Sequence, residues 1–220
     1  MSFIEKLKDA KESAATPMTP MNAMNEQRGD DPIISYYDHT VGTCTKVGKD
    51  AIVWIPKCGS SVLRLYDPTP VNYYGSNFKK YWVLLRDPYF RWKSGICQYW
   101  RDHQDKEEEI LDTLNKIEFD RHTVPQTKFL TFIGPAQFFM LEFNGLELLN
   151  KHLKLFKTIP KANVSSAHIS KLVFSKKLDS ALSKPLINKV NEYYHNDYMF
   201  IKNNALTHYS FDEKNIYYKG

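Results

Sequence analysis

The chain has 220 residues, 42% of them hydrophobic and 25% charged, with a formal net charge of +5. That length holds one sizeable core, and the composition is ordinary for a soluble globular protein, with no window approaching a transmembrane span. The basic excess suits an anionic ligand; it forms no dense block of the kind that binds nucleic acid, since the nearest run, "FSKKLDSALSK", reads as the solvated face of a helix.

In chain order, Ser2 to Ala15 has the spacing of a short amphipathic helix, and "TPMTPMNAMNEQRGDDP" is rich in Pro, Met and Asn without a period. Residues 1–32 therefore read as a mobile N-terminal arm or a short helix plus linker, with no apolar stretch of signal-peptide length. A domain is expected over residues 33–201. It opens with "IISYYDHTVGTCTKVGKDAIVWI", two or three extended segments with turns near His39–Gly42 and Gly48–Asp50. "AIVWI" is continuous and apolar, the mark of a strand buried on both faces.

"KYWVLLRDP" is a second apolar strand ending in charge, and after Pro88 the spacing of Phe90, Ile96, Cys97 and Trp100 predicts a helix. "KEEEILDTLNKIEF" predicts another, with its apolar face at Ile110, Leu111, Leu114 and Ile117. "AQFFMLEF" is a third buried strand, followed by the helix "GLELLNKHLKLF". "SAHISKLVFSKKLDSAL" and "PLINKVNEYYHNDYMFI" close the domain as helices, and residues 202–220 form a C-terminal extension without a strong period. Strands alternating with helices imply an α/β fold with a central, mostly parallel sheet flanked by helices. Ligands of such sheets bind outside the C-terminal ends of the strands.

Two strand exits carry anion chemistry. In "WIPKCGSSVLRLY", Gly59 permits close backbone approach, Lys57 supplies a positive charge, Ser60 and Ser61 add hydroxyls, and Cys58 is a small loop side chain. The alternative is a plain strand-to-helix turn, with Ser60 as N-cap and Lys57 solvated. The P-loop pattern G-x-x-x-x-G-K-[ST] is absent, and its near-match "GTCTKVGKD" reads as hairpin turns. In "LLRDPYFRWKSG", Arg86 stands at a strand tip and Ser94 two turns into the next helix, a guanidinium and a hydroxyl suited to a phosphate. The alternative there is an Arg86–Asp87 turn with Arg91 as a surface charge. Cys44, Cys58 and Cys97 are too few and too scattered for a disulfide framework or a paired metal site, so reduced thiols and a cytoplasmic location are expected.

"IPKCGSSVLRL" resembles the 5′-phosphosulfate loop of sulfotransferases, and "LLRDPYFRWKSG" resembles their 3′-phosphate motif R-D-P-x-x-R-x-x-S. "FDRHTVPQTKF" is similar to the D-x-H-x-x-P-Q segment of the carbohydrate (Golgi-type) sulfotransferases, while "IPKANVSS" and "VNEYYHNDYMFI" resemble that group's Asn-containing loop and closing helix. The matches keep their order from Ile52 to Ile201. Cys-Gly-Ser-Ser stands where relatives often carry Gly-Thr-Thr or Ala-Cys-Thr, Thr123 stands in place of the usual tryptophan, and the membrane anchor of the Golgi group is missing, so a soluble, compact member is expected.

The resemblance implies a P-loop-NTPase-like three-layer fold and the donor 3′-phosphoadenosine 5′-phosphosulfate, with no metal. Lys57, Cys58, Gly59, Ser60 and Ser61 would hold the 5′-phosphosulfate, Lys57 offsetting charge on the departing oxygen. Arg86 and Ser94 would clamp the 3′-phosphate, and His122 would be the base, oriented by Asp120 or Gln126, with Pro125 stiffening the loop. Asn163, Ser165 and Ser166 line the donor site or cap a helix; Tyr194 and Asp197 read as packing and a buried hydrogen bond, and Tyr99 and Trp100 as an acceptor border or core. The remaining histidines, His39, His103, His152, His168, His195 and His208, show no ligand spacing. The partner implied is a glycan or small-molecule acceptor, with neither nucleic acid nor membrane. The competing readings are a P-loop-like nucleotide kinase, which lacks Gly-Lys-Ser/Thr here, and a non-catalytic nucleotide-binding module.

Overall fold

Thr43–Val47 (β1) and Asp50–Val53 (β2) are joined through Gly48 and Lys49, and pair antiparallel with Cys44 opposite Val53 and Val47 opposite Asp50. Gly48 takes the positive φ of 60° that so short a reversal demands. The phosphate-loop near-match is thus a hairpin, as its composition indicates. The computed structural model describes residues 42–73, 76–131, 133–160 and 167–204. The expected N-terminal helix and linker, the turn at His39, the residues Asn163, Ser165 and Ser166, and the extension beyond residue 204 lie outside the described residues.

After β2 the chain turns into a helix, Ser60–Tyr66 (α1), and a two-residue strand, Val71–Asn72 (β3), pairs antiparallel with β1. Tyr81–Leu85 (β4) follows and leads into Pro88–Asp102 (α2). Glu107–Asp112 (α3), Ala136–Met140 (β5), Gly145–Leu153 (α4), Ala167–Ala181 (α5), Lys184–Tyr193 (α6) and His195–Asn204 (α7) complete the described elements. The five-stranded sheet has the order β3-β1-β2-β4-β5. Parallel pairing joins β2 to β4 and β4 to β5, whereas β1 runs antiparallel to both its neighbours. The sheet is mixed rather than mostly parallel, because a two-residue turn after β1 returns the chain alongside itself; a parallel partner needs a long crossover.

Alternate residues of the strands face opposite sides. Ile52, Trp82, Leu84 and Phe139 pack with Val62 and Leu63 of α1 and Leu146 and Leu149 of α4. Ala51, Val53, Val83, Leu85 and Met140 pack on the other side with Phe129, Leu130 and Ile201 of α7. Trp92, Ile96 and Trp100 of α2 build a further helical core with Ile110, Phe174, Leu178 and Val190, where the Trp100 ring stacks on Phe174 at 4.6 Å. Trp100 is therefore core, while Tyr99 lies half-buried against His103 and Phe119.

Two expected helices divide. The helix expected over "KEEEILDTLNKIEF" ends at Asp112, where the Thr113 hydroxyl donates to the Glu109 carbonyl at 2.6 Å, and a 3₁₀ turn over Leu114–Lys116 follows. Ile117 then adopts φ 63°, which turns its carbonyl to the Trp92 indole N–H at 2.9 Å. Its apolar face survives, with Ile110, Leu114 and Ile117 all buried. The last helix separates at Tyr194, although Tyr194 N–H still donates to Val190 O and Tyr198 N–H to Tyr194 O. The Tyr194 hydroxyl donates to the Thr123 carbonyl.

Fully buried Asp197 docks α7 on the sheet's flank: its carboxylate accepts the N–H of Gln126 at 2.7 Å, the N–H of Thr127 at 3.0 Å and the Thr127 hydroxyl at 2.6 Å. These bonds cap the 3₁₀ turn Gln126–Leu130. Asp197→Ala leaves those donors without an acceptor, so urea unfolding is expected to show a loss of about 2–4 kcal/mol; an unchanged midpoint would remove the docking role.

Candidate functional site

The first strand exit is a tight reversal. Ile55 O accepts the Cys58 N–H at 3.1 Å, and Lys57 and Gly59 both take left-handed conformations, φ 67° and 83°. Gly59 is required there: besides its φ, a side chain would stand 3.3 Å from Leu84. Gly59, not Ser60, is the residue that caps α1, and it offers no side-chain bond. Ser60 and Ser61 are the first two helical residues, half-buried and exposed respectively. Cys58 is fully enclosed; burial pushes its thiol up to about 12 against the opposing charges of Arg91 and Arg86, so it is no nucleophile at neutral pH.

The second exit lies next to the first because β2 and β4 are parallel neighbours. Asp87 caps α2, accepting the Phe90 N–H at 3.0 Å, with Pro88 in the first turn. Arg86 donates from Nε to Glu142 at 3.1 Å and reaches the Lys57 carbonyl at 3.5 Å, so the two tips meet. The other Glu142 oxygen accepts the Asp87 N–H at 3.2 Å. Burial raises the Glu142 carboxyl, and its hydrogen bonds and the Arg86 charge only partly oppose this. Ser94, half-buried in the second turn of α2, makes no hydrogen bond with Arg86 among the described residues.

Gln126 holds both tips. Its side-chain oxygen accepts the Arg86 N–H at 3.1 Å, its amide donates to the Arg86 carbonyl at 2.7 Å, and the Cys58 thiol approaches the same oxygen at 3.5 Å. Of the two residues weighed as orienting His122, Gln126 is occupied in this way and Asp120 does the work: Asp120 accepts from His122 Nδ1 at 2.7 Å and from the His122 N–H at 2.8 Å. A carboxylate only accepts, so Nδ1 carries the proton and Nε2 is left as the accepting nitrogen. Thr123, in the place of a tryptophan, closes the turn: its hydroxyl takes the N–H groups of Phe119 and Asp120 at 2.7 and 2.9 Å.

Arg91 is fully buried, which overturns the surface-charge reading. Its guanidinium donates to the carbonyls of Pro56 at 3.0 Å, Arg121 at 3.5 Å and Val124, and so stitches the Lys57 loop to the His122 segment. Its place in the middle of "RDPYFRWKS", facing back from a helix that starts at a strand tip, is the signal in the sequence. Glu142 had a fainter one, as the charge at the end of the apolar run "AQFFML".

The site's third side is α2. Lys57 Nζ reaches Gln98 Oε1 at 3.4 Å. Gly95, one turn earlier, lies against His122 so closely that a Cβ would fall 2.5 Å from the His122 carbonyl oxygen. The structure thus brings together Lys57, Arg86, Gln126 and the Asp120–His122 pair around the C-terminal ends of β2 and β4. An open depression lined by Lys80, Ala136, Gln137, Phe138 and Asn204 lies instead at the starts of β4 and β5, the other end of the sheet.

Comparison with protein-family models, with curated proteins and with solved structures returns no match. Among the described residues no cluster of His, Cys, Asp and Glu is placed to hold a metal ion, and no helix is long and apolar enough to cross a membrane. All three cysteines are free and buried.

Because the Gly95 contact is with backbone, a neighbour's rotamer cannot relieve it. Gly95→Ala is expected to cost about 1–3 kcal/mol in denaturant unfolding and to displace the His122 ring, read as a shifted imidazole resonance by NMR. A full-stability variant with an unmoved resonance would refute the contact.

Proposed function

We propose that this chain is a sulfotransferase that passes a sulfuryl group from 3′-phosphoadenosine 5′-phosphosulfate to an acceptor hydroxyl. The finer reading of its α/β architecture as P-loop-NTPase-like and three-layered belongs to the same proposal. The observation that carries it is the meeting of two anion-type strand exits with an oriented histidine across one helix, α2: Lys57 touches Gln98, and His122 abuts Gly95 one turn before it. The residues fit a bound anion, since the Arg86 guanidinium and the Asp87 N–H already share one oxyanion, the Glu142 carboxylate.

In this scheme the donor supplies the sulfuryl group. Gly59, Ser60 and Ser61 hold the 5′ end through backbone N–H groups and hydroxyls. Lys57 offsets the charge growing on the leaving oxygen. Arg86 and Ser94 grip the 3′-phosphate, which requires the guanidinium to share or exchange its Glu142 contact. His122 Nε2 receives the acceptor's proton while Asp120 stabilises the resulting imidazolium. Sulfuryl transfer resembles loose, in-line phosphoryl transfer, so most of the work is positioning and charge stabilisation. The residues assigned to this reaction are Lys57, Cys58, Gly59, Ser60, Ser61, Arg86, Ser94 and His122, with Cys58 reduced to a packing role by its burial.

Thermal melts with 3′-phosphoadenosine 5′-phosphate, with ATP plus Mg²⁺ and with an oligonucleotide test the reading. Selective stabilisation by the first ligand is expected; stabilisation by ATP alone would favour a kinase-type site and sink it. Arg86→Ala is expected to weaken 3′-phosphoadenosine 5′-phosphate binding by about 1.5–3 kcal/mol, the worth of a hydrogen bond to a charged group. His122→Ala is expected to keep that binding and lose roughly 10²–10⁴-fold in turnover. A fully active His122→Ala protein would end the base assignment.

A further inference from the structure

β5 is an open edge of the sheet: β4 lies on one side of it and, among the described residues, no strand lies on the other. Tyr81 N–H donates to the Pro135 carbonyl at 2.9 Å, which sets the phase of the parallel ladder between β4 and β5. Pro135, Gln137 and Phe139 therefore turn their backbone groups toward β4, and the N–H and C=O of Ala136 and Phe138 point outward. Every residue of β4 is buried, whereas Ala136, Gln137 and Phe138 are only half-buried. A row of outward-facing donors and acceptors beside half-buried side chains is a template for one more strand.

α7 brings the chain to this edge from the direction that such a strand needs. Its first turn is held at the C-terminal end of the sheet, where Asp197 accepts from Gln126 and Thr127, and Gln126 is bonded to Arg86 just beyond β4. Farther along, the Phe200 ring meets Phe138 edge-on at 5.1 Å. At the end of the helix, Asn204 lines the depression with Lys80, Ala136, Gln137 and Phe138, at the starts of β4 and β5. α7 thus runs antiparallel to β5, covering about 10 Å from Asp197 to Asn204 at the usual helical rise. It hands the chain on beside the N-terminal end of the edge strand. A helix so placed is the returning part of a crossover, the connection that joins parallel strands of one sheet.

We propose that residues 207–211 of the C-terminal extension form a sixth strand that pairs with β5 in parallel. The extension, "ALTHYSFDEKNIYYKG", has no strong period over its length, but "THYSF" sets Thr207, Tyr209 and Phe211 two apart with His208 and Ser210 between. Those are the alternation and the residue types of a half-buried strand, and the run matches the five residues of β5 in length. From Asn204 to Thr207 is a span of at most about 10 Å, roughly twice the distance between neighbouring strands. Because the extension is tethered at the rim of the depression, its pairing is intramolecular and outcompetes free strands at ordinary concentrations. The pairing gives the outward backbone groups of Ala136 and Phe138 partners and guards the edge against self-association. Running parallel, the strand comes out at the end of the sheet that carries Arg86 and Glu142. None of this depends on the donor or acceptor chemistry.

Amide hydrogen exchange of the full chain, read by NMR, tests the pairing, with Tyr209→Pro and Ser210→Pro beside the unmodified protein. Proline deletes a backbone donor, and successive residues of a strand donate to opposite sides, so one of the two variants removes a ladder bond. Both positions follow α7, so the residues of the sheet and its packed helices are unchanged. In the unmodified protein the Ala136 and Phe138 amides are expected to exchange about tenfold or more slowly than exposed amides; at least one variant is expected to abolish that protection while Val83 and Leu85 keep theirs. Fast exchange at Phe138 in the unmodified protein, or protection that both variants leave intact, overturns the sixth strand. Protection that rises with protein concentration, together with a dimer in sedimentation, assigns the edge to a second copy and overturns it as well.

Discussion

Gln126 spends its side chain on the backbone of Arg86, accepting from the N–H and donating to the carbonyl, and receives the Cys58 thiol on the same oxygen. Its own N–H is held by Asp197, which comes from the last described helix. A fully buried carboxamide with all these partners has one low-energy position, because rotating it would strand several polar groups in a medium where water cannot replace them. The segment carrying Asp120 and His122 begins only a few residues earlier, so its path is settled by the same bonds. Residues far apart in the chain thereby reach a common end of the sheet.

Around this fixed frame the charged groups of the site have internal partners: Arg86 has Glu142, Lys57 has Gln98, and His122 has Asp120. Such pairing offsets part of the penalty that each partly buried group incurs on leaving water. On the proposed reading, an anion would enter by exchange, taking over donors that are already aimed, so that little reorganisation would be left to be done. Glu142 is the group most affected by such an exchange, since its carboxylate is the one with burial already acting against its charge.

Much of this was legible in the residues. The three main strands were marked by apolar runs, the hairpin by Gly48, and the start of α2 by Asp-Pro; all depend on local chemistry. The hairpin alone makes the sheet mixed; what was less visible is the further antiparallel pairing of the short β3 with β1, a long-range fact carried by two residues. The turn at Ile117 that follows α3 is held by the indole of Trp92, an element away, and no period within "KEEEILDTLNKIEF" reports it. In the site, Asp120 beside His122 is local and readable. Arg91 and Glu142 stand at positions the motifs mark, but their partners, like those of Gln126, are not readable, since each bonds to backbone or side chains that sequence distance hides.

Arg91 has a consequence for how the loop at Lys57 meets solutes. One of the positive charges counted in the chain's net +5 never touches solvent; Arg91 lies beneath Pro56, and its charge is felt at the Cys58 thiol. Mobile ions screen exposed charges over about 10 Å at 0.1 M ionic strength but cannot surround a buried one. On the proposed reading, the attraction of this loop for an anion would accordingly have two parts. The contribution of the solvent-facing cations fades as salt is added, while that of the enclosed guanidinium persists as a permanent feature of the fold.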